Sequence, residues 1–338
     1  MPQEDAQEAV ERFRGNIRKL KDEIHKEIVG QDALIQQVST CLLAGGHALI
    51  EGAPGLGKTL LVRTLSRALN LTFSRIQFTP DLMPADILGT NIVVEEEPGK
   101  RTFRFQEGPV FGNVLLADEI NRATPKTQSA LLEAMQEGSV TISGTSYALP
   151  HPFFVLATQN PIEMEGTYPL PEAQLDRFLF KLDVLSPSVD AMIDILDRTT
   201  GAAGASASPV LDREEVLSMR AMVPEVPVAS HVKRFVARLV AASHPTSPDA
   251  PESVRRFVRF GASPRAAQAV VLAGKVLALA EGRFHVSFED VRAMLGPALR
   301  HRLILNFEGE AEGVNPDDIV KDLAGAIPEL PEDVSSLV

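Results

Sequence analysis

Short apolar runs alternate with helical periods through the first half of the chain. His47-Ala-Leu-Ile50 is followed by a glycine-rich loop and then by a helical period over Lys58 to Leu69. Four more apolar runs read as strands: Leu71 to Phe78, Val114 to Ala117, Phe153 to Thr158 and Phe178 to Val184. Strands separated by helices predict an α/β fold with a parallel sheet, because crossover helices cover both faces of such a sheet. Thr124 is a helix cap with Pro125 in the first position, and Gly138 ends that helix. Two segments depart from the alternation and read as β-hairpins: 90–106, turning at Glu97-Pro-Gly-Lys100, and 139–149, turning at Ser143-Gly144-Thr145.

The strand pattern ends near Ser186. Beyond it come a Gly/Ala/Ser-rich loop, Thr199 to Pro209, and then helical periods. Ser263-Pro264 opens one helix, which Gly282 ends; Ser287 with Asp290 forms a capping box; Asn315-Pro316 opens the last helix. The expected organisation is an α/β core over 1–185, with an N-terminal helical segment, and an all-α domain over 186–338. Two domains agree with a prior of about 150 residues for each.

Composition narrows the class. Hydrophobic residues make up 44% of the chain and charged residues 23%, enough for a sizeable core. The 33 Lys and Arg against 45 Asp and Glu leave a net charge of −12, the opposite of a generally basic, phosphate-neutralising surface. Aromatic content of 5% without tryptophan offers few platforms for stacking bases, so nucleic acid is not the expected partner. Cys41 stands alone, which excludes an internal disulfide and a cysteine-cluster metal site. Met1 to Arg14 is polar and lacks the apolar stretch of a secretory leader. Ala266 to Ala280 is interrupted by Gln268 and Lys275 and is too short for a membrane span. A cytoplasmic protein is expected.

Gly52-Ala53-Pro54-Gly55-Leu56-Gly57-Lys58-Thr59, with Leu60 next, has the P-loop spacing between a strand and a helix. Glycines let backbone N–H groups turn around phosphate oxygens, and the helix N-terminus favours the anion. Lys58 would reach the β- and γ-phosphates, and the Thr59 hydroxyl would hold Mg²⁺. Val114-Leu-Leu-Ala-Asp118-Glu119 places a carboxylate at the end of an apolar strand. Asp118 would orient Mg²⁺, and Glu119 would act as general base toward a water. These features predict ATP and Mg²⁺ as ligands. A guanine-reading Asn-Lys-x-Asp sequence and a Leu-Ser-Gly-Gly-Gln signature are both absent.

Six motifs in order carry a closer resemblance: Glu27-Ile-Val-Gly-Gln31, Arg75-Ile-Gln-Phe-Thr-Pro-Asp-Leu82, Gly108-Pro-Val-Phe111, Ala117-Asp-Glu-Ile-Asn-Arg122, Ala157-Thr-Gln-Asn-Pro161 and Leu170-Pro-Glu-Ala-Gln-Leu-Asp-Arg-Phe178. From Ile28 to about Arg265 the chain resembles AAA+ ATPases, and more closely the MoxR family. The two hairpins resemble the helix-2 insert and pre-sensor-1 insert of the magnesium chelatase-like group. The resemblance implies a P-loop core with a helical lid. It implies that Ile28, Val29 and Gly30 pack against adenine, where Ile28 and Val29 could equally be core. Asn160 resembles sensor 1; an Asx turn before Pro161 is the competing reading. Arg177 resembles the arginine finger that acts on a neighbouring subunit; a salt bridge to Asp176 or Glu172 is the alternative.

Arg265 would lie in the first turn of its helix, where a cation opposes the helix dipole unless an anion is near. The resemblance makes it sensor 2, with a nucleotide phosphate as that anion. The resemblance would make Gln77 the polar residue that restrains Glu119, and Arg122 is a candidate supporting or intersubunit group without a fixed role. His25, His47, His151, His231, His244, His285 and His301 lack metal spacing. The expected function is ATP hydrolysis coupled to chaperone-like remodelling of a protein substrate. A hexameric ring and a partner with a von Willebrand A domain are implied by the family. A DNA-directed motor and a nucleotide-gated scaffold are the alternatives.

Overall fold

The computed structural model describes residues 3–97, 100–160, 166–201 and 205–329. The polar N-terminus is helical: in α1 (Gln3–Ile24), Phe13, Ile17, Leu20 and Ile24 recur at steps of three and four and are buried. The chain continues through α2 (Asp32–Leu43), β1 (Ala48–Glu51), α3 (Lys58–Ala68), β2 (Phe73–Gln77) and α4 (Pro84–Leu88). β3 (Gly89–Glu97) and β4 (Lys100–Glu107) form the first hairpin, whose turn residues Pro98 and Gly99 lie outside the described residues. Then come β5 (Val114–Asp118), α5 (Pro125–Glu137), the hairpin β6 (Ser139–Ile142) and β7 (Thr145–Ala148), β8 (Phe154–Gln159), α6 (Glu172–Leu175) and β9 (Phe180–Asp183). Ser143 at φ 51° and Gly144 at φ 84° make the tight turn of the second hairpin, where both central residues need left-handed backbone.

Five strands form a parallel sheet in the order β2-β5-β8-β1-β9. Alternation within each strand divides the core in two. Ile50, Leu116 and Leu156 face one apolar layer, which also takes α1 to α3 and most of the C-terminal helices. Leu49, Leu115 and Val155 face the other, beneath α5. The ladders begin later than the apolar runs: Leu71, Phe153 and Phe178 precede them. Thr124 stands at the N-cap of α5, yet its hydroxyl lies 3.3 Å from the Thr127 hydroxyl and makes no bond to a helix N–H.

The C-terminal part holds α7 (Val189–Thr200), α8 (Arg213–Met222), α9 (Ser230–Ala242), α10 (Glu252–Phe257), β10 (Val258–Phe260), α11 (Pro264–Ala280), α12 (Phe288–Leu299), β11 (Ile304–Leu305), α13 (Phe307–Ala311) and α14 (Pro316–Ala326). The helical pattern holds, with one addition: β10 and β11 pair antiparallel, a ladder too short to leave a period in the sequence. Ser263, Ser287 and Asn315 all accept a backbone N–H as caps. Among the described residues no helix is long and apolar enough to cross a membrane.

Candidate nucleotide site

Parallel strands deliver all their C-terminal ends to one edge, where ligands of open α/β sheets bind. Gly52 follows the end of β1 beside Val184; a Cβ there would lie 3.0 Å from Val184 Cβ and 3.2 Å from its carbonyl oxygen. Gly55 and Gly57 have φ of 83° and 77°, a backbone that a side chain would strain. Gly57 is the N-cap of the eleven-residue α3 and carries no capping side chain, so the helix keeps its first N–H groups for an anion. Lys58 Nζ folds back to donate to the Gly52 carbonyl at 2.7 Å. Burial pushes its amine below the ordinary value, opposed by Asp118, Glu119 and Glu51.

Asp118 ends β5 next to this loop. Its two oxygens accept from the Thr158 hydroxyl at 2.6 Å and from Arg75 at 2.7 Å. Glu119 has left-handed backbone, φ 56°, which turns the chain sharply out of the strand. Its N–H donates to Thr158 Oγ1 at 2.9 Å, and Oε2 accepts from Gln77 at 2.7 Å and Arg122 at 2.9 Å. Asn160 follows β8, which lies between β5 and β1, and is buried at 7% exposure. Half-buried Thr59 and Asp118 supply hard oxygen donors, a set that suits Mg²⁺ shared with phosphate oxygens.

A cleft of about 300 Å³ opens beside the loop, lined by Ile28, Val29, Leu56, Leu60, Met192 and Ile195. Glu27, Gln31, Arg198 and Thr199 also line it, but it is mostly apolar and large enough for a nucleobase. Gly30 is not in its lining. A Cβ on Gly30 would sit 2.8 Å from Ala191 Cβ, so the glycine permits close approach of α7.

Arg177 and Arg265 stand elsewhere. Both line a cleft of about 310 Å³ with Gly45, Gly46, His47 and Arg302, at the edge where β1 and β9 begin. The strands, about 13 Å long, separate them from the loop that follows β1. Arg177 donates to the Leu132 carbonyl at 3.1 Å, and among the described residues it forms no ion pair with Asp176 or Glu172. Asp176 is instead the anion of Arg265, at 3.8 Å. The cation in the first turn of α11 therefore has a carboxylate partner from its own chain.

Comparison with known proteins gives this geometry a family. Residues 47–180 match the model of the ATPase family associated with various cellular activities, and 252–323 match the AAA lid domain. The chain is 45% identical to the chaperone MoxR1 of Mycobacterium tuberculosis, over 88% of this chain and 78% of that protein. It is 31% identical to the MoxR protein of Paracoccus denitrificans, covering 90% and 94%. A crystal structure from Cytophaga hutchinsonii, designated a candidate ATPase, superposes with a TM-score of 0.89 at 39% identity, covering 96% of this chain and 98% of that one. The chain belongs to the MoxR family of AAA+ ATPases.

Gln77, expected beside Glu119, does lie there, while Arg75 and Thr158 join this MoxR-family site with no role foreseen in the sequence. Arg75 and Gln77 alternate on one face of β2, and Arg75 donates to Gln77 Oε1 at 2.9 Å, so the pair presents one donor to each of Asp118 and Glu119. The period-2 spacing was the available signal. Thr158 joins Asp118 to Glu119 from the next strand, for which no local signal exists. Arg302, in the run Leu299-Arg-His-Arg-Leu303, is buried although its charged neighbours in sequence gave no such signal.

Proposed function

We propose that this protein hydrolyses ATP to ADP and phosphate at a site completed between subunits of a hexameric ring, and couples turnover to remodelling of a partner protein. The observation that carries the reading is the separation of the two half-sites: Lys58, Asp118 and Glu119 at one edge of the sheet, Arg177 and Arg265 at the other. In a ring, one subunit's arginine edge faces the next subunit's phosphates, so both arginines act in trans.

Within one subunit the adenine would lie against Ile28 and Val29, and the backbone of Gly52 to Gly57 would wrap the phosphates. Lys58 would leave the Gly52 carbonyl for the β- and γ-oxygens. Thr59 and Asp118 would hold Mg²⁺, which would supply charge neutralisation for the phosphates. Asn160 positions the water, and Glu119 takes its proton. Gln77 and Arg122 both occupy Glu119 Oε2, so they restrain the base until assembly repositions it. Arg177 and Arg265 counter charge on the departing phosphoryl group; an arginine finger contributes about 10³–10⁵ in rate in other phosphoryl-transfer systems.

The domains run 1–185 and 186–338 in this reading, and the protein works in the cytoplasm. The relative named as a chaperone supports a protein substrate, and a partner carrying a von Willebrand A domain rests on the sequence resemblance alone. Mixing tests the shared site. Arg177→Ala keeps a complete pocket and Lys58→Ala keeps a complete finger, so exchanging subunits recover turnover above the sum of the separate preparations. Demonstrated exchange without recovery would overturn the reading. ATP turnover stimulated by DNA rather than by a protein would redirect it to a nucleic-acid motor.

A further inference from the structure

The arginine cleft contains a third guanidinium that does not face out of it. Arg302 follows α12 and its side chain is only 3% exposed. Nε donates to Asp176 Oδ1 at 2.6 Å. One terminal nitrogen donates to the carbonyls of Asp176 at 3.2 Å and Phe178 at 2.8 Å, the other to Leu179 at 3.1 Å and to Ala298. The fork's five donors thus have five acceptors, and three of these are the backbone carbonyls at 176, 178 and 179. Those carbonyls bracket Arg177.

The Asp176 carboxylate extends the grip to Arg265. It accepts from the Ser263 hydroxyl at 3.0 Å, and the same hydroxyl oxygen accepts the Arg265 N–H at 3.2 Å. The Arg265 guanidinium lies 3.8 Å from the same carboxylate. His301 adds a bond from Nε2 to the Phe178 carbonyl at 3.1 Å; burial keeps its ring neutral, so this nitrogen carries the proton. A well-packed apolar side chain would hold the two domains together without the cost of burying a charge. What the planar fork adds is direction.

We propose that Arg302 is a positioning residue for catalysis in trans: through Asp176 and the carbonyls around Arg177, it presents Arg177 and Arg265 as one preset pair to the neighbouring subunit's ATP. The proposal rests on the shared-site reading above. A misplacement of about 1 Å can cost about a hundredfold in rate. Arg302→Lys keeps the charge and loses the fork. Its turnover falls about a hundredfold, while binding of a fluorescent ATP analogue at its own pocket stays within about twofold of wild type.

The direction of complementation separates positioning from general damage. Arg302→Lys mixed with Lys58→Ala regains activity, because the Lys58→Ala subunit brings a properly held finger. Mixed with Arg177→Ala it regains none, since both subunits lack a working finger. Asp176→Asn, at a side chain 22% exposed, follows the same one-way pattern and carries the test if Arg302→Lys does not fold. The Arg177→Ala and Lys58→Ala mixture is the control. If it recovers activity while the Arg302→Lys and Asp176→Asn mixtures recover with both partners or with neither, the proposal is wrong and the shared site stands. If the control itself fails, the shared site falls and the proposal with it.

Discussion

The two edges of the sheet are built by different means. At the C-terminal edge, short stretches of chain deliver the phosphate loop, Asp118, Glu119 and Asn160 because parallel strands all stop there. At the N-terminal edge, Arg177 and Arg265 are brought together by contacts between residues far apart, such as Arg302 with Asp176 at a separation of 126 residues. The first edge presents carboxylates and helix N–H groups, the second a cluster of guanidinium groups. The difference teaches that one chain has the means to hold nucleotide at one edge, while its arginines are gathered at the other.

The largest expected effect comes from breaking the first edge outright. Lys58→Ala removes the charge on the β- and γ-phosphates, and both ATP binding and turnover fall to background in calorimetry and phosphate-release assays. Near-normal turnover would remove the phosphate-loop assignment. Next is Glu119→Gln, which keeps the shape and loses the base. Turnover drops about 10²–10⁴-fold while ATP binding persists and the assembled state accumulates. Loss of binding as complete as in Lys58→Ala would show that Glu119 is not the base.

A smaller effect sharpens the contrast by leaving the chemistry alone. Met192→Ala shortens one wall of the apolar cleft. With about 25 cal/mol lost for each Å² no longer buried, ATP binding weakens roughly three- to tenfold, with the turnover at saturation unchanged. An unchanged dissociation constant would move the adenine elsewhere.

The last effect falls on the arginine edge, leaves turnover at neutral pH untouched, and concerns stability in acid. His47 lines that cleft, accepts the Val155 N–H on Nδ1 at 3.0 Å, and donates from Nε2 to the Met135 carbonyl at 3.1 Å. Burial pushes its pKa down from 6.5 to about 4. The unfolded chain therefore binds a proton that the native state refuses. The contribution is complete above about pH 6.5 and is lost as the pH falls toward 4, on the order of 3 kcal/mol in all. Urea unfolding at several pH values checks it. His47→Gln flattens the slope in that window, and an unaltered slope would assign it to other groups.

Much of this protein follows from rules that act within a few residues. Glycine spacing made the phosphate loop legible, apolar runs ending in Asp118 and Asn160 marked strand ends, and Ser287 with Asp290 announced a helix start. The hairpin turn at Ser143-Gly144 was readable because left-handed backbone selects its residues. The short ladder of β10 with β11 was not, since so few paired residues leave no period. The Arg265 dipole argument found the need for an anion and could not name it. Within one chain the nearby anion is Asp176, which the α11 cap residue Ser263 also holds by a hydrogen bond.

Local chemistry by itself determined which side chains are able to bind phosphate, metal and water. Only the tertiary structure decided which of them share an edge. Gln77 meets Glu119 because β2 pairs with β5, and Arg302 finds Asp176 because the segment after α12 lies against the start of β9. A buried guanidinium must satisfy its donors with whatever acceptors surround it, and those are set by how the helices close over the sheet. No spacing along the chain encodes that closure.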